Sequence, residues 1–148
     1  MEPPADPLEI RSPPANFDAL IDWFDRISTN LVLLEEYPIA DLEGAIRAFE
    51  AGVRTHVQRF EGLLGPTAPE SGTGAGARSI LRVEHAWFAV SMEQLDWCYG
   101  IVEHEDHGGH RQALGQYGRV FAEALRRHRR DERRYFPSAD AESPRIGR

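Results

Sequence analysis

Four separate stretches of this chain place large apolar side chains at intervals of three and four residues, and that spacing restricts the fold more than any other feature. Phe17, Leu20, Phe24, Ile27, Leu31 and Leu34 make the first run. Leu42, Ile46, Phe49, Val53, Val57, Phe60 and Leu64 make the second. The third holds Leu81, Phe88, Met92, Leu95, Tyr99 and Val102, and the fourth holds Leu114, Tyr117, Phe121 and Leu125. Such intervals keep side chains on one face of an α-helix, whereas a half-buried strand needs a period of two. No period-two alternation runs long enough to support a sheet. The spacing therefore predicts an all-α protein, an up-down-up-down four-helix bundle with each apolar stripe turned toward a shared axis.

Punctuation residues set the expected boundaries. Asn16 is a candidate N-cap for a helix over 17–36, which "YPIAD" ends. A second helix is expected over 41–64, stopped by Gly65-Pro66. The segment "GPTAPESGTGAGARS" (65–79) consists of turn formers and small residues and reads as a linker. Further helices are expected over 79–103 and 110–135, with "EHEDHGGH" between them and "FPS" after the last. Residues 1–15 read as a disordered proline-rich tail, 16–137 as one bundle domain, and 138–148 as a second disordered tail.

Composition narrows the function classes. A net charge of −7 disfavours general binding to nucleic acid or to an anionic membrane, since both would be repelled over most of the surface. Cys98 is the sole cysteine, and no stretch reads as a signal peptide or a long apolar span, so a soluble cytoplasmic protein is expected. All 17 basic residues are arginine, and eight fall between Arg111 and Arg134. Their ordinary reading is a solvated face at a helix C-terminus, where cations oppose the dipole; the sharper one is a dock on Arg126–Arg134 for an acidic protein partner or an RNA backbone.

Extending each stripe by helical steps turns polar residues inward. Phe121 and Leu125 lead to His128 and then Glu132; Phe49 and Val53 lead to His56, with Glu61 at its flank; Leu81 leads to His85, with Glu84 at the margin. A neutral polar group buried without a partner costs on the order of 2–7 kcal/mol, and a charge costs more, so these groups need partners. A metal ion is one such partner, because histidine and carboxylate one turn apart present both ligands on one face. Imidazole with carboxylate suits iron, manganese or zinc, and the absence of thiolate clusters argues against iron–sulfur chemistry. A hydrogen-bonded structural network is the other way to satisfy the same residues.

An internal pseudo-repeat adds to this pattern. "LIDWFDRISTNL" (20–31) and "EHAWFAVSMEQL" (84–95) share Trp-Phe and a Leu at the same offset, as two similar hairpins would.

"HRRDERRYFP" (128–137) resembles the His-x-x-x-Glu-x-x-x-Phe-Pro signature of hemerythrin-like domains. "EHAWF" (84–88) resembles the acidic-His entry of a ligand helix in that family, and "HVQRFEGLLGP" (56–66) is similar to its companion motif. The likeness covers roughly residues 17–137. It implies a four-helix bundle holding non-haem iron, used for binding oxygen or for sensing oxygen, nitric oxide or iron. It assigns metal ligation to His56, Glu61, His85, His128 and Glu132. The chain departs from the family pattern in two respects. Ile21 stands where the pseudo-repeat matches His85, and the His56/Glu61 pair comes before the His128/Glu132 pair, as though the hairpins had been exchanged. The ligand set is smaller than a full di-iron site uses, which leaves a mononuclear site, a di-iron site completed by other groups, and a site that has lost its metal. If iron is bound, open coordination positions would admit a small diatomic ligand. Protonation of the histidines is expected to release metal below about pH 5.5.

The rival expectation is a metal-free regulatory or interaction bundle that engages a partner through its arginine-rich helix end. His104, His107 and His110 read as a solvated polar turn, "GTGAG" (72–76) as a spacer, and Trp23, Trp87 and Trp97 as core or boundary packing. No serine, threonine or cysteine stands in a nucleophile setting, so catalysis is not the expected role.

Overall fold

A computed structural model describes residues 9–63 and 74–137. Four helices account for nearly all of them: α1 (Phe17–Val32), α2 (Ile39–Leu63), α3 (Gly74–His104) and α4 (Gly108–Tyr135). There is no strand among the described residues. The all-α bundle expected from the stripes is what forms.

Contacts across the helices fix their directions. Phe24 of α1 stacks on Phe49 of α2 and Phe17 on His56, so the two helices run antiparallel. Arg47 reaches Asp96 while Glu61 reaches His85, which sets α3 antiparallel to α2. Asp18 meets Arg129 near one end of the α1–α4 pair, and the Val32 carbonyl accepts from Gln112 near the other. The packed neighbours are α1 with α2, α2 with α3, α3 with α4, and α4 back against α1, a closed up-down-up-down ring. Its axis is filled by the stripe residues, among them Phe49, Phe88, Phe121, Leu95 and Leu125, each 1 % exposed or less. The aromatic rings of Phe24, Phe49, Phe121 and Phe88 form a continuous column through this core.

α1 and α4 approach most closely. A Cβ at Gly115 would lie 2.5 Å from the Ser28 carbonyl oxygen, and one at Gly118 would lie 2.1 Å from Ser28 Oγ. Hydrogen at both positions lets the two backbones meet. The approach places the acidic start of α1 against the arginines that end α4.

Several boundaries differ from expectation. Asn16 does cap α1, its side chain accepting from the Ala19 amide at 3.0 Å. The helix stops at Val32 rather than at 36, because Leu34 adopts a left-handed backbone with φ 64° and Glu35 N–H turns back to the Asn30 carbonyl at 2.8 Å. That pair of features is a Schellman closure made without glycine. α3 starts at Gly74, so the last residues of the expected 65–79 linker are helical, including part of "GTGAG". The rest of that linker, the expected stop at Gly65-Pro66, and tail residues 1–8 and 138–148 lie outside the described residues. Ile10, assigned to the tail on sequence, is buried against the core, and Trp23 Nε1 donates to the Glu9 carbonyl at 3.1 Å. Trp23 packs inside as expected, whereas Trp97 is 66 % exposed. Among the described residues no helix is long and apolar enough to cross a membrane.

Candidate metal centre

The antiparallel ring brings the start of α1, the end of α2, the first half of α3 and the end of α4 to one end of the bundle. His56, Glu61, His85, His128 and Glu132 all lie there. Helical phase explains why. His128 and Glu132 follow Leu125 by three and seven residues and are wholly buried, and His85 follows Leu81 by four and is 6 % exposed.

Three of these side chains share one small space. His56, His128 and Glu132 each turn a ligand atom into a region where all three atoms lie within 4.8 Å of one another. His56 Nε2 is 2.9 and 2.8 Å from the two Glu132 oxygens. His128 Nε2 is 3.3 Å from Glu132 Oε2. His85 stands one step further out, its Nε2 3.2 Å from His128 Nε2. Two ligands at right angles, each about 2.1 Å from an ion, are separated by about 3.0 Å, so the His–Glu spacings fit a common ion.

Glu61, expected as a ligand, is instead bound to the far side of an imidazole. Its Oε1 accepts from His85 Nδ1 at 2.7 Å, and Arg82 lies 3.8 Å from its other oxygen. Glu61 follows His56 by five residues, which turns it well away from that histidine's face and toward α3. Glu84 does the same for His128, accepting from Nδ1 at 2.8 Å. Carboxylates on the Nδ1 atoms of His85 and His128 fix both rings with Nε2 pointing inward, the usual support for metal-ligating histidine. Arg129 was read as part of a solvated face, yet it is 9 % exposed and donates to Glu132 Oε1 at 3.1 Å. Asp18 of α1 accepts from Arg129 Nε at 2.9 Å and also pairs with Arg133. Asp18 was legible as the acid in the first turn of α1, whereas nothing in the run of arginines sets Arg129 apart.

The electrostatics follow from these contacts. Burial pushes the Glu132 carboxyl toward neutrality, but hydrogen bonds from His128 and His56 overcome it and hold Glu132 ionised far below the usual carboxylate range. Burial also works against a charged His128, and its contacts with Glu132 and Glu84 prevail, raising its pKa. For His85 burial wins over Glu61, lowering the pKa and favouring neutral imidazole. Burial raises the Glu84 pKa, with Asp131 adding to the rise and His128 opposing it. An ionised Glu132 can only accept, so His56 Nε2 donates to it. The protons between His56, His128 and Glu132 occupy the positions a cation would take.

Phe17 stacks on the His56 ring at 4.2 Å between centroids, and Phe88 meets His128 edge-on at 4.9 Å. These rings wall the cluster with apolar surface. Elsewhere, His107 caps α4, its Nδ1 accepting from the Gly109 and His110 amides at 3.1 and 3.3 Å. The Arg126–Arg134 segment divides: Arg126 binds Asp22 and Asp25, and Arg129 and Arg133 bind Asp18, while Arg127, Arg130 and Arg134 face outward.

Comparison with protein-family models, with curated proteins and with solved structures finds no match. The fold and the site define a helical bundle with a histidine–carboxylate cluster at one end.

Proposed function

We propose that this protein is a hemerythrin-like, non-haem iron-binding bundle that holds one ion through His56, His128 and Glu132, with His85 as a further donor. One observation carries the reading: two imidazole nitrogens and a carboxylate oxygen, from two helices, are gathered within 4.8 Å, with His128 and Glu132 buried and His56 half-buried. A two-histidine, one-carboxylate donor set with open positions suits ferrous iron. Iron so held would supply a site for oxygen or nitric oxide, which makes a cytoplasmic sensor or carrier the corresponding role. Glu61 and Glu84 orient the imidazoles, and Phe17 and Phe88 limit water. Arg129 holds Glu132 in place through its hydrogen bond to Oε1.

A specific observation favours a second reading, a metal-free regulatory bundle. The cluster closes on itself, since Glu132 already accepts from His56 and Arg129 and no cluster atom is left buried without a hydrogen bond.

Reconstitution with ferrous iron under anaerobic conditions, followed by metal analysis and an absorption spectrum, separates the two. The iron reading expects about one tightly held ion per chain, reduced to background in His128→Ala and in His56→Ala. Background metal in the parent protein after reconstitution would leave the hydrogen-bonded network as the function of these residues.

A further inference from the structure

While the inner face of α3 carries His85, its outer face carries a second pattern. Ile80, Val83, Trp87, Val90 and Trp97 are 48, 70, 43, 54 and 66 % exposed. They fall at steps of three, four, three and seven, with Gln94 filling the missing position. That is the a/d repeat of a coiled-coil seam, presented to solvent rather than to the bundle. Of the exposed positions of α3 from Ser79 to Trp97, only Arg82 and Glu93 are charged. Depletion of charge around exposed tryptophan is the composition of an interface centre.

We infer that α3 pairs antiparallel with α3 of a second copy of this chain, making a two-fold dimer along the Ile80–Trp97 stripe. The 3-4 repeat selects a helix as the occupant, because a heptad seam interdigitates with another of its kind. The charges select the direction. Arg82 and Glu93 stand on either side of a midpoint between residues 87 and 88, within about a residue of the centre of the stripe. An antiparallel two-fold brings Arg82 of each copy to Glu93 of the other. A parallel pair would set like against like. The two-fold also makes the contact self-complementary and closed.

The dimensions suit such a contact. From Ile80 to Trp97 the helix rises about 26 Å. With an aromatic side chain carrying 150–250 Å² and the aliphatic residues adding a similar share, the exposed apolar surface is on the order of 500 Å² per subunit. That lies toward the upper end of the largest patch a monomer leaves, and it is close to the apolar share of each side of a standard interface. This inference is independent of the metal reading.

Sedimentation equilibrium and light scattering of the full chain up to about 100 µM test it, given that interfaces of this size bind in the micromolar range or tighter. The expected result is a dimer. Val90→Glu and, separately, Val83→Glu should raise the dimer dissociation constant by at least about tenfold. Both sites are exposed, and an unchanged helical melting curve verifies the fold. Glu93→Arg should weaken association, and Arg82→Glu combined with Glu93→Arg should restore it, since the two-fold then exchanges the charges without repelling them. A chain monomeric throughout the range overturns the inference and leaves the face to an unlike partner. So does a dimer indifferent to both valine substitutions. A dimer that the double exchange fails to rescue overturns the antiparallel pairing.

Discussion

Glu50 shows how a single residue can set the pH response of the fold. It sits on α2 with its side chain wholly buried, Oε1 accepting from Arg47 at 3.2 Å, and Oε2 has no hydrogen-bond partner. Burial first, and Asp96 second, push its carboxyl up to about 7 against the opposing charges of Arg54 and Arg47. A carboxyl raised in the folded state favours folding most when protonated. Its contribution is complete below the unfolded value of 4.5 and is lost as pH rises through about 7. Glu50→Gln removes that titration. Urea melts at pH 5 and pH 8 should show the parent losing on the order of 2 kcal/mol more than the variant between the two conditions. Parallel losses in both proteins would show that the group is not proton-linked. Comparing the two proteins at each pH cancels the titration of the histidine cluster.

The same scale explains what could and could not be read of the site. His56, His85, His128 and Glu132 were legible because helical steps from large apolar neighbours fix which face they share. The contact that Glu61 makes with the far side of His85 was not legible, because a stripe gives direction around one helix and not the position of the facing helix. Only the α2–α3 packing puts His85 Nδ1 within 2.7 Å of Glu61. Arg129 was masked by composition: in a run of arginines the buried member looks like the rest, and its contact with Glu132 distinguishes it only in three dimensions.

At the scale of elements, number and order of helices followed from periodicity, whereas ends depended on features periodicity does not contain. Leu34 continues the apolar stripe of α1 in sequence but reverses the backbone in space. The small residues before Ser79 suggested a linker, and those from Gly74 onward are helical. The closeness of α1 and α4 was also silent in the stripes, which record large residues, while Gly115 and Gly118 act through missing side chains. Gly115→Ala should therefore cost about 1–3 kcal/mol, since the new methyl meets the backbone oxygen of Ser28 and the helices must separate. Gly44→Ala in α2 should do the opposite. Nothing lies within 4 Å of its Cβ position, and alanine restricts the unfolded chain, stabilising by about 0.5–1 kcal/mol. Thermal melts of the two variants check both signs. Equal effects would mean that the α1–α4 approach is not set by these glycines.

For the whole molecule, the cluster is placed where one bound ion would link all four helices. His56 belongs to α2, and His128 and Glu132 to α4; α3 joins through His85, and α1 through the Asp18–Arg129–Glu132 chain of contacts. A ligand that binds only the folded state stabilises it by mass action, by about 2.7 kcal/mol at a free concentration one hundred times its dissociation constant. For a chain of this size that corresponds to a rise in Tm of roughly 5–10 °C. Saturating ferrous iron under anaerobic conditions should produce such a rise, and a chelator should reverse it. Glu61→Gln should keep the rise but require on the order of 10–100 times more metal, because Glu61 orients His85 without meeting the ion. His56→Ala should lose it entirely. A Tm rise that survives His56→Ala would place the ion elsewhere, with the His104–His110 turn the nearest alternative in composition, and would remove the end of the bundle from consideration as the metal centre.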